Sequence, residues 1–212
     1  MAYIHLALDV QRWDCCPEAF LAAGIKNPYI NHLGIVAQRI KCFSEAVRQH
    51  DNMENMWVRH NPYPKPKGFD GAFHEVQPQD DEAIITKTGF NALASKELAG
   101  CLERADAEKI IITGFQLGIC VRATALACLE EYDVIIVPEL VGLAEPARSK
   151  FSKALRELKD AGCNITNLQD MERSLGLQTG IERNDIDDLL FSGFSSPPKY
   201  GSAACAPPAP LP

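Results

Sequence analysis

A set of short, unbroken apolar runs constrains this chain more than any other feature. Residues 110–112 read Ile-Ile-Ile and residues 134–137 read Val-Ile-Ile-Val, with no polar residue between them. A strand wetted on one face alternates apolar with polar residues. A run that is apolar at every position needs cover on both faces, and helices crossing over a parallel sheet supply it. Strands are predicted at residues 3–9, 56–60, 83–87, 109–115 and 133–138, with a weaker one at 163–166. Ile30, Leu33, Val36, Ala37, Ile40, Phe43 and Val47 recur at three- and four-residue spacing and predict a long helix before the second strand. Pro28 after Asn27 is a start signal for it. Further helices are predicted at 92–105, 120–131 and 146–161, the last with Phe151, Leu155 and Leu158 on one face. Strand and helix alternate, so the expected class is α/β: three layers, α/β/α, around a central, mostly parallel sheet with right-handed crossovers.

Two segments stand outside the alternation. Residues 61–82 contain Pro62, Pro64, Pro66 and Pro78 with Gly68 and Gly71, and read as a long loop of the kind that often carries function. From about Ser195 the chain is rich in Pro, Ala and Ser without apolar period, which reads as a mobile extension. No internal repeat is visible. A length of 212 residues suits one well-buried domain.

The net charge of −7 argues against nucleic acid or an anionic membrane as the main partner, since both select basic surfaces. No signal pattern or membrane-length apolar run is seen, so the expected location is cytoplasmic. The eight cysteines include one adjacent pair, Cys15-Cys16, and no C-x-x-C spacing, so neither a zinc ribbon nor a thioredoxin-like motif is present. Reduced thiols are the default reading, with Cys42, Cys101, Cys128 and Cys163 acting as small hydrophobes.

In an open parallel sheet, ligands bind beyond the carboxyl ends of the strands. Asp9 closes the first predicted strand, Lys87 closes the third, and Cys120 follows the fourth at the start of a helix. A thiol at a helix N-terminus beside an ammonium has its pKa lowered, and the thiolate attacks carbonyl carbon. A carboxylate such as Asp9 can take the thiol proton, pass it to a leaving amine and then activate water. Backbone N–H groups in the turn from Phe115 to Cys120, those of Gln116 and Cys120, would face the developing oxyanion. No Gly-rich phosphate loop follows the first strand, which argues against a flavodoxin-like nucleotide-binding protein.

The segments ALDVQ (7–11), AIITKTGFNALASKELAG (83–100) and IIITGFQLGICVRATALACLEEYDVIIVPE (110–139) resemble the isochorismatase-like cysteine hydrolases. The resemblance extends over about residues 3–175, taken as the domain within residues 1–175, with 176–212 as a C-terminal extension. It implies a Rossmann-like, isochorismatase-like hydrolase fold and carries that family's catalytic trio onto Asp9, Lys87 and Cys120, with Gln11 beside Asp9 and the Gly114–Val121 turn around the nucleophile. It further implies a cis peptide at Phe115–Gln116 and a homo-oligomer, dimer or tetramer, acting on a small-molecule substrate. The implied reaction is hydrolysis of a C–N bond in an amide, carbamoyl or ureido compound through a thioester on Cys120.

Departures from the family pattern fall around the pocket. Leu117-Gly118 stands where Thr-Asp is common, and Leu93 and Lys96 replace a Phe and a Thr. The second strand ends in Arg59-His60-Asn61-Pro62, without the Asp-x-His pair of metal-binding relatives, so neither metal nor other cofactor is expected. Pocket candidates are Gln11, Trp13, His60, Phe90, Phe115 and Leu117. Trp13 fits a pocket cap or a core or interface position equally, and His60 and His74 fit surface or structural roles as well as substrate binding. Lys65 and Lys67 read as solvated charges. Two alternatives stay open: the same site cleaving an ester or vinyl ether, and a catalytically silent relative used for binding or assembly.

Overall fold

The computed structural model describes residues 2–16, 30–65, 69, 71–143 and 148–181. The expectations for Pro28, Lys67, Cys205 and the Pro/Ala-rich tail lie outside the described residues.

Six strands form one sheet: β1 (Ala2–Leu8), β2 (Met53–His60), β3 (Ala83–Lys87), β4 (Ala107–Phe115), β5 (Asp133–Gly142) and β6 (Asn164–Ile165). Their spatial order is β3-β2-β1-β4-β5-β6, and every neighbouring pair is parallel. The sheet is therefore wholly parallel. The chain builds outward from β1 through β2 to β3, then returns to lay β4 on the other side of β1. The reversal opens a crevice beyond the carboxyl ends of β1 and β4, where such sheets bind ligands.

The alternation of side chains along each strand divides the core in two. Ile4, Leu6 and Leu8 of β1 join Val58, Ile85, Ile110 and Ile112 under helices α3 (Lys96–Arg104), α4 (Arg122–Cys128) and α5 (Arg148–Asp160). Ala7, Trp57, Ile111 and Val137 point the other way, toward α1 (Arg12–Cys15), α2 (Ile30–Val47) and α6 (Leu168–Leu175). The apolar stripe predicted for α2 is the one it buries: Leu33, Val36, Ala37, Ile40, Phe43 and Val47 are all inside. Burying each large member is worth about 1.5–3 kcal/mol, so Phe43→Ala would cost about 3–5 kcal/mol with its cavity.

Two short elements were not predicted. α1 holds only four residues, too few for a period to be read. α6 starts where Asn167 Oδ1 accepts the Asp170 N–H at 2.8 Å and stops at Gly176 in the left-handed region, φ 70°. Beyond it, Leu177 still packs into the α2-side core. Both caps are legible in the sequence once the helix is known.

Gly114 fixes how close β4 comes to β1. Its φ is 109°, and a Cβ there would lie 1.9 Å from the Leu8 carbonyl oxygen, so any side chain would force the strands apart just before the nucleophile turn.

Candidate active site

β1 ends by turning sharply at Asp9, which adopts φ 56°, a left-handed conformation that a non-glycine residue rarely takes. The turn is closed by the Gln11 N–H to the Asp9 carbonyl and by the Asp9 N–H to Val58 on β2, both 2.8 Å. Lys87, the last residue of β3, lies beyond β2 from Asp9, and its long side chain crosses that gap. Its Nζ donates to Asp9 Oδ2 at 2.8 Å, to Cys120 Sγ at 3.3 Å and to the Gly89 carbonyl at 3.2 Å. Asp9, Lys87 and Cys120 retain 3%, 4% and 6% exposure, so the three share a site almost closed to solvent.

Cys120 does not sit at the first turn of an α-helix. The Phe115–Gln116 peptide is cis, and the chain enters a five-residue π-helical turn, Leu117–Val121, that runs straight into α4. The expectation of a lowered thiol pKa is corrected accordingly. Burial and then the Asp9 charge push Cys120 up to about 12, with Lys87 pulling only partly the other way. Asp9 is also raised, by burial first and against the attraction of Lys87. The resting site therefore holds a neutral thiol beside a carboxylate of more than ordinary basicity. Oδ1 of that carboxylate is buried without a hydrogen-bond partner. An acceptor left open beside a protonated nucleophile is the arrangement a general base requires.

The predicted pocket residues fall into different places. Gln11 is fully buried, and its amide clamps the end of β2: Oε1 accepts the His60 N–H at 2.7 Å, while Nε2 donates to the His60 carbonyl at 3.1 Å and to Gly71 at 3.2 Å. Trp13 meets Phe69 edge to face, with ring centroids 6.2 Å apart. Around these contacts part of the Pro-rich loop is stitched to the exit of β1, with Gln11 bridging Phe73, the Arg12 N–H on Ala72 and the His74 N–H on Val10. His60 lies half-buried at the end of β2, its Nε2 3.2 Å from the Thr88 carbonyl.

Phe90 projects outward, 59% exposed, while its carbonyl is held by the Thr124 hydroxyl of α4 at 3.4 Å. Leu117 is enclosed under the α4 side of the sheet. Phe115 is enclosed in the α2-side core, where Gly142 makes room for its ring. Its side chain faces away from Leu117 because it still belongs to β4, where the strand decides which face each residue takes. No group of three His, Cys, Asp or Glu side chains able to hold a metal ion occurs among the described residues. His74 is buried and 3.8 Å from Glu75 Oε1.

Sequence reasoning passed over Asp14, whose carboxyl is acted on by both Asp9 and Lys87. Only its place five residues after Asp9 could have drawn attention to it.

Comparison with known proteins gives the family and the fold. The isochorismatase domain matches residues 5–170, most of the chain, and the protein belongs to the isochorismatase family. Among curated proteins, the secreted isochorismatase effector Isc1 of Verticillium dahliae is 28% identical over 104 residues, covering 47% of this chain and 55% of the effector. That match thus spans about half the length of the curated relative. Among solved structures, an isochorismatase-like hydrolase from Alkaliphilus metalliredigens superposes with a TM-score of 0.68 at 22% identity, covering 82% of this chain and 99% of the other. The pyrazinamidase of Pyrococcus horikoshii, solved in complex with zinc, superposes at 0.63 and 19% identity, covering 79% and 100%. At these identities the likeness is one of fold. No helix among the described residues is long and apolar enough to cross a membrane.

Proposed function

We propose that this protein is a cysteine-dependent hydrolase cleaving a C–N bond of a small amide, carbamoyl or ureido substrate through a thioester. The observation that carries the reading is the Lys87 ammonium bonded at once to Asp9 and to Cys120, with the second Asp9 oxygen left open.

In the first step Asp9 takes the proton of Cys120 as Sγ bonds to the substrate carbonyl carbon. The oxyanion so formed faces the backbone N–H groups of Gln116 and Cys120, each worth roughly 3–4 kcal/mol to such a transition state. Asp9 then returns the proton to the nitrogen, the C–N bond breaks and the amine departs. In the second step Asp9 deprotonates water, hydroxide adds to the thioester, and the acid leaves as Sγ regains its proton. Lys87 keeps Asp9 ionised in a buried place and steadies the sulfur while it carries charge.

Gln11 acts from behind by holding the Asp9 turn against β2, and Trp13, His60 and Phe90 border the approach. Phe115 and Leu117 support the nucleophile turn through the core. A cytoplasmic, reducing setting fits the seven described cysteines, all of them free. Association into a homo-oligomer carries over from the resemblance.

The test is a panel of small amides, ureas and carbamoyl compounds scored for released ammonia or amine, with intact-protein mass to trap an acyl adduct. Turnover with an adduct on Cys120 is expected. No turnover and no adduct anywhere in the panel, with Cys120 inert to iodoacetamide, would sink the proposal.

A further inference from the structure

Lys87 is buried, but the chain that leaves it is not. Thr88, Gly89 and Phe90 are all exposed, and a Cβ at Gly89 would meet nothing within 4 Å, so little packing holds this stretch. Yet the Gly89 carbonyl is one of three acceptors of the Lys87 ammonium, at 3.2 Å, beside Asp9 Oδ2 at 2.8 Å and Cys120 Sγ at 3.3 Å. Three acceptors use all the ammonium protons, so the place of the Gly89 carbonyl affects where Nζ sits between the other two. The stretch is tied from two sides. From β2, the Asn61 N–H donates to the Lys87 carbonyl at 2.8 Å, and His60 Nε2 lies 3.2 Å from the Thr88 carbonyl. From the nucleophile side the tether is Thr124, whose Oγ1 accepts the Ala92 N–H at 3.0 Å and donates to the Phe90 carbonyl at 3.4 Å. Thr124 is fully buried on α4, about one turn past Cys120 in the same helical run. A helical threonine often returns its hydroxyl to a carbonyl one turn back. This one is committed to the chain beyond Lys87 instead.

We propose that Thr124 is a positioning residue for the reaction: by tying Phe90 and Ala92 to the helix behind Cys120, it holds the Gly89 carbonyl in place and keeps the Lys87 ammonium against both Asp9 and the nucleophile. This rests on the cysteine-hydrolase function proposed above and adds the part that keeps its charges in register. Valine at this position has a similar shape but no hydroxyl, so it would leave the buried Ala92 N–H without an acceptor and the Phe90 carbonyl without this donor. Gly89 would then be free to move and Lys87 with it. The sulfur would lose part of the positive charge that favours its thiolate. Serine keeps the hydroxyl and with it both bonds.

The test uses Cys120 as its own reporter. Its alkylation by iodoacetamide is followed across pH, by mass spectrometry of the Cys120 peptide, in the full chain as wild type, Thr124→Val, Thr124→Ser and Lys87→Ala, with urea denaturation alongside. Thr124→Val is expected to shift the rise in rate to higher pH, in the direction of Lys87→Ala, slowing alkylation roughly threefold at about pH 9. Thr124→Ser should keep the wild-type profile, and Thr124→Val added to Lys87→Ala should move it no further. A Thr124→Val protein that loses stability but keeps the wild-type profile overturns the proposal and leaves the hydrolase reading intact. Should Thr124→Val fail to fold, Asn91→Ala decides, because Asn91 Oδ1 accepts the Leu93 N–H at 2.9 Å and braces the same turn. Its loss should move the profile the same way, and an unmoved profile there overturns the proposal equally. A wild-type Cys120 inert to iodoacetamide at every pH overturns the hydrolase reading, and the role of Thr124 falls with it.

Discussion

The protein buries two polar networks, both drawing on the central strand β1 of the same sheet, and they are built on opposite principles. In the first, toward the amino ends of β1 and β2, His5 Nδ1 donates to Asn55 Oδ1 at 2.7 Å and its Nε2 accepts from the Thr113 hydroxyl at 2.8 Å. The tautomer follows, because the Asn55 amide nitrogen is already donating to Glu82 Oε1 and to the Ser44 carbonyl. Glu82 also takes two bonds from Arg48, one from the Trp57 indole and one from the Gln79 N–H. A cavity of about 510 Å³ lies beside these residues, lined by Arg48, Asn55, Glu82 and Arg104. Arg48, Asn55 and Glu82 meet one another's needs, and so make poor binding groups.

The second network, at the carboxyl ends, leaves Asp9 Oδ1 open, holds Asp9 in a left-handed turn and keeps a neutral thiol beside it. A satisfied network fixes one structure; an unsatisfied one retains capacity for a reactant. The contrast separates stability from reactivity residue by residue.

The largest effect should come from the open network. Cys120→Ala is expected to lower turnover of any substrate found in the panel by about 10⁴-fold or more, while urea denaturation moves little. A comparable loss of stability would mean that the two networks are not distinct in kind.

Glu82→Gln should behave in reverse. It leaves Arg48 without its counter-charge and breaks the pattern of donors around one carboxylate, costing about 2–3 kcal/mol by denaturant titration. Activity per folded molecule should hold.

The closed network should also set acid tolerance. Burial lowers His5 to about 4, below the ordinary histidine value of about 6.5, so the folded protein resists a proton that the unfolded chain accepts. Stability is then complete above about pH 6.5 and declines as pH falls toward 4, by about 3 kcal/mol at most from this group. Glu82, held down to about 2, adds its own loss below about pH 4.5. Replacing His5 with Gln should flatten the curve between pH 6.5 and 4; an unchanged curve would assign the acid sensitivity elsewhere.

Within the open network, alkylation of Cys120 by iodoacetamide should keep rising well above pH 8.5. Asp9→Asn should shift that rise to lower pH, because the Asp9 charge holds the thiol up, and Lys87→Ala should shift it higher. The smallest effect is expected at the rim. Phe90→Ala should change stability by less than about 0.5 kcal/mol and, if Phe90 meets substrate, raise KM without changing kcat.

Much of this molecule was legible from local pattern. Whether a strand is covered on both faces is written in its own residues, so β4 and β5 announced a parallel sheet, and the period of α2 named the side chains it buries. The trio could be placed at strand ends for the same reason: Asp9, Lys87 and Cys120 each follow a readable strand. What the sequence could not say is how those ends act on each other. Strand order set β4 against β1 and left Lys87 to reach across β2, and only in the fold do burial and the Asp9 charge outweigh the ammonium 3.3 Å from sulfur and keep the thiol protonated. The fate of Gln11 as a clamp was likewise settled in space. Apolar burial is a property each segment carries with it, whereas the protonation of a buried group depends on charges that lie dozens of residues away in the chain and a few ångströms away in the fold.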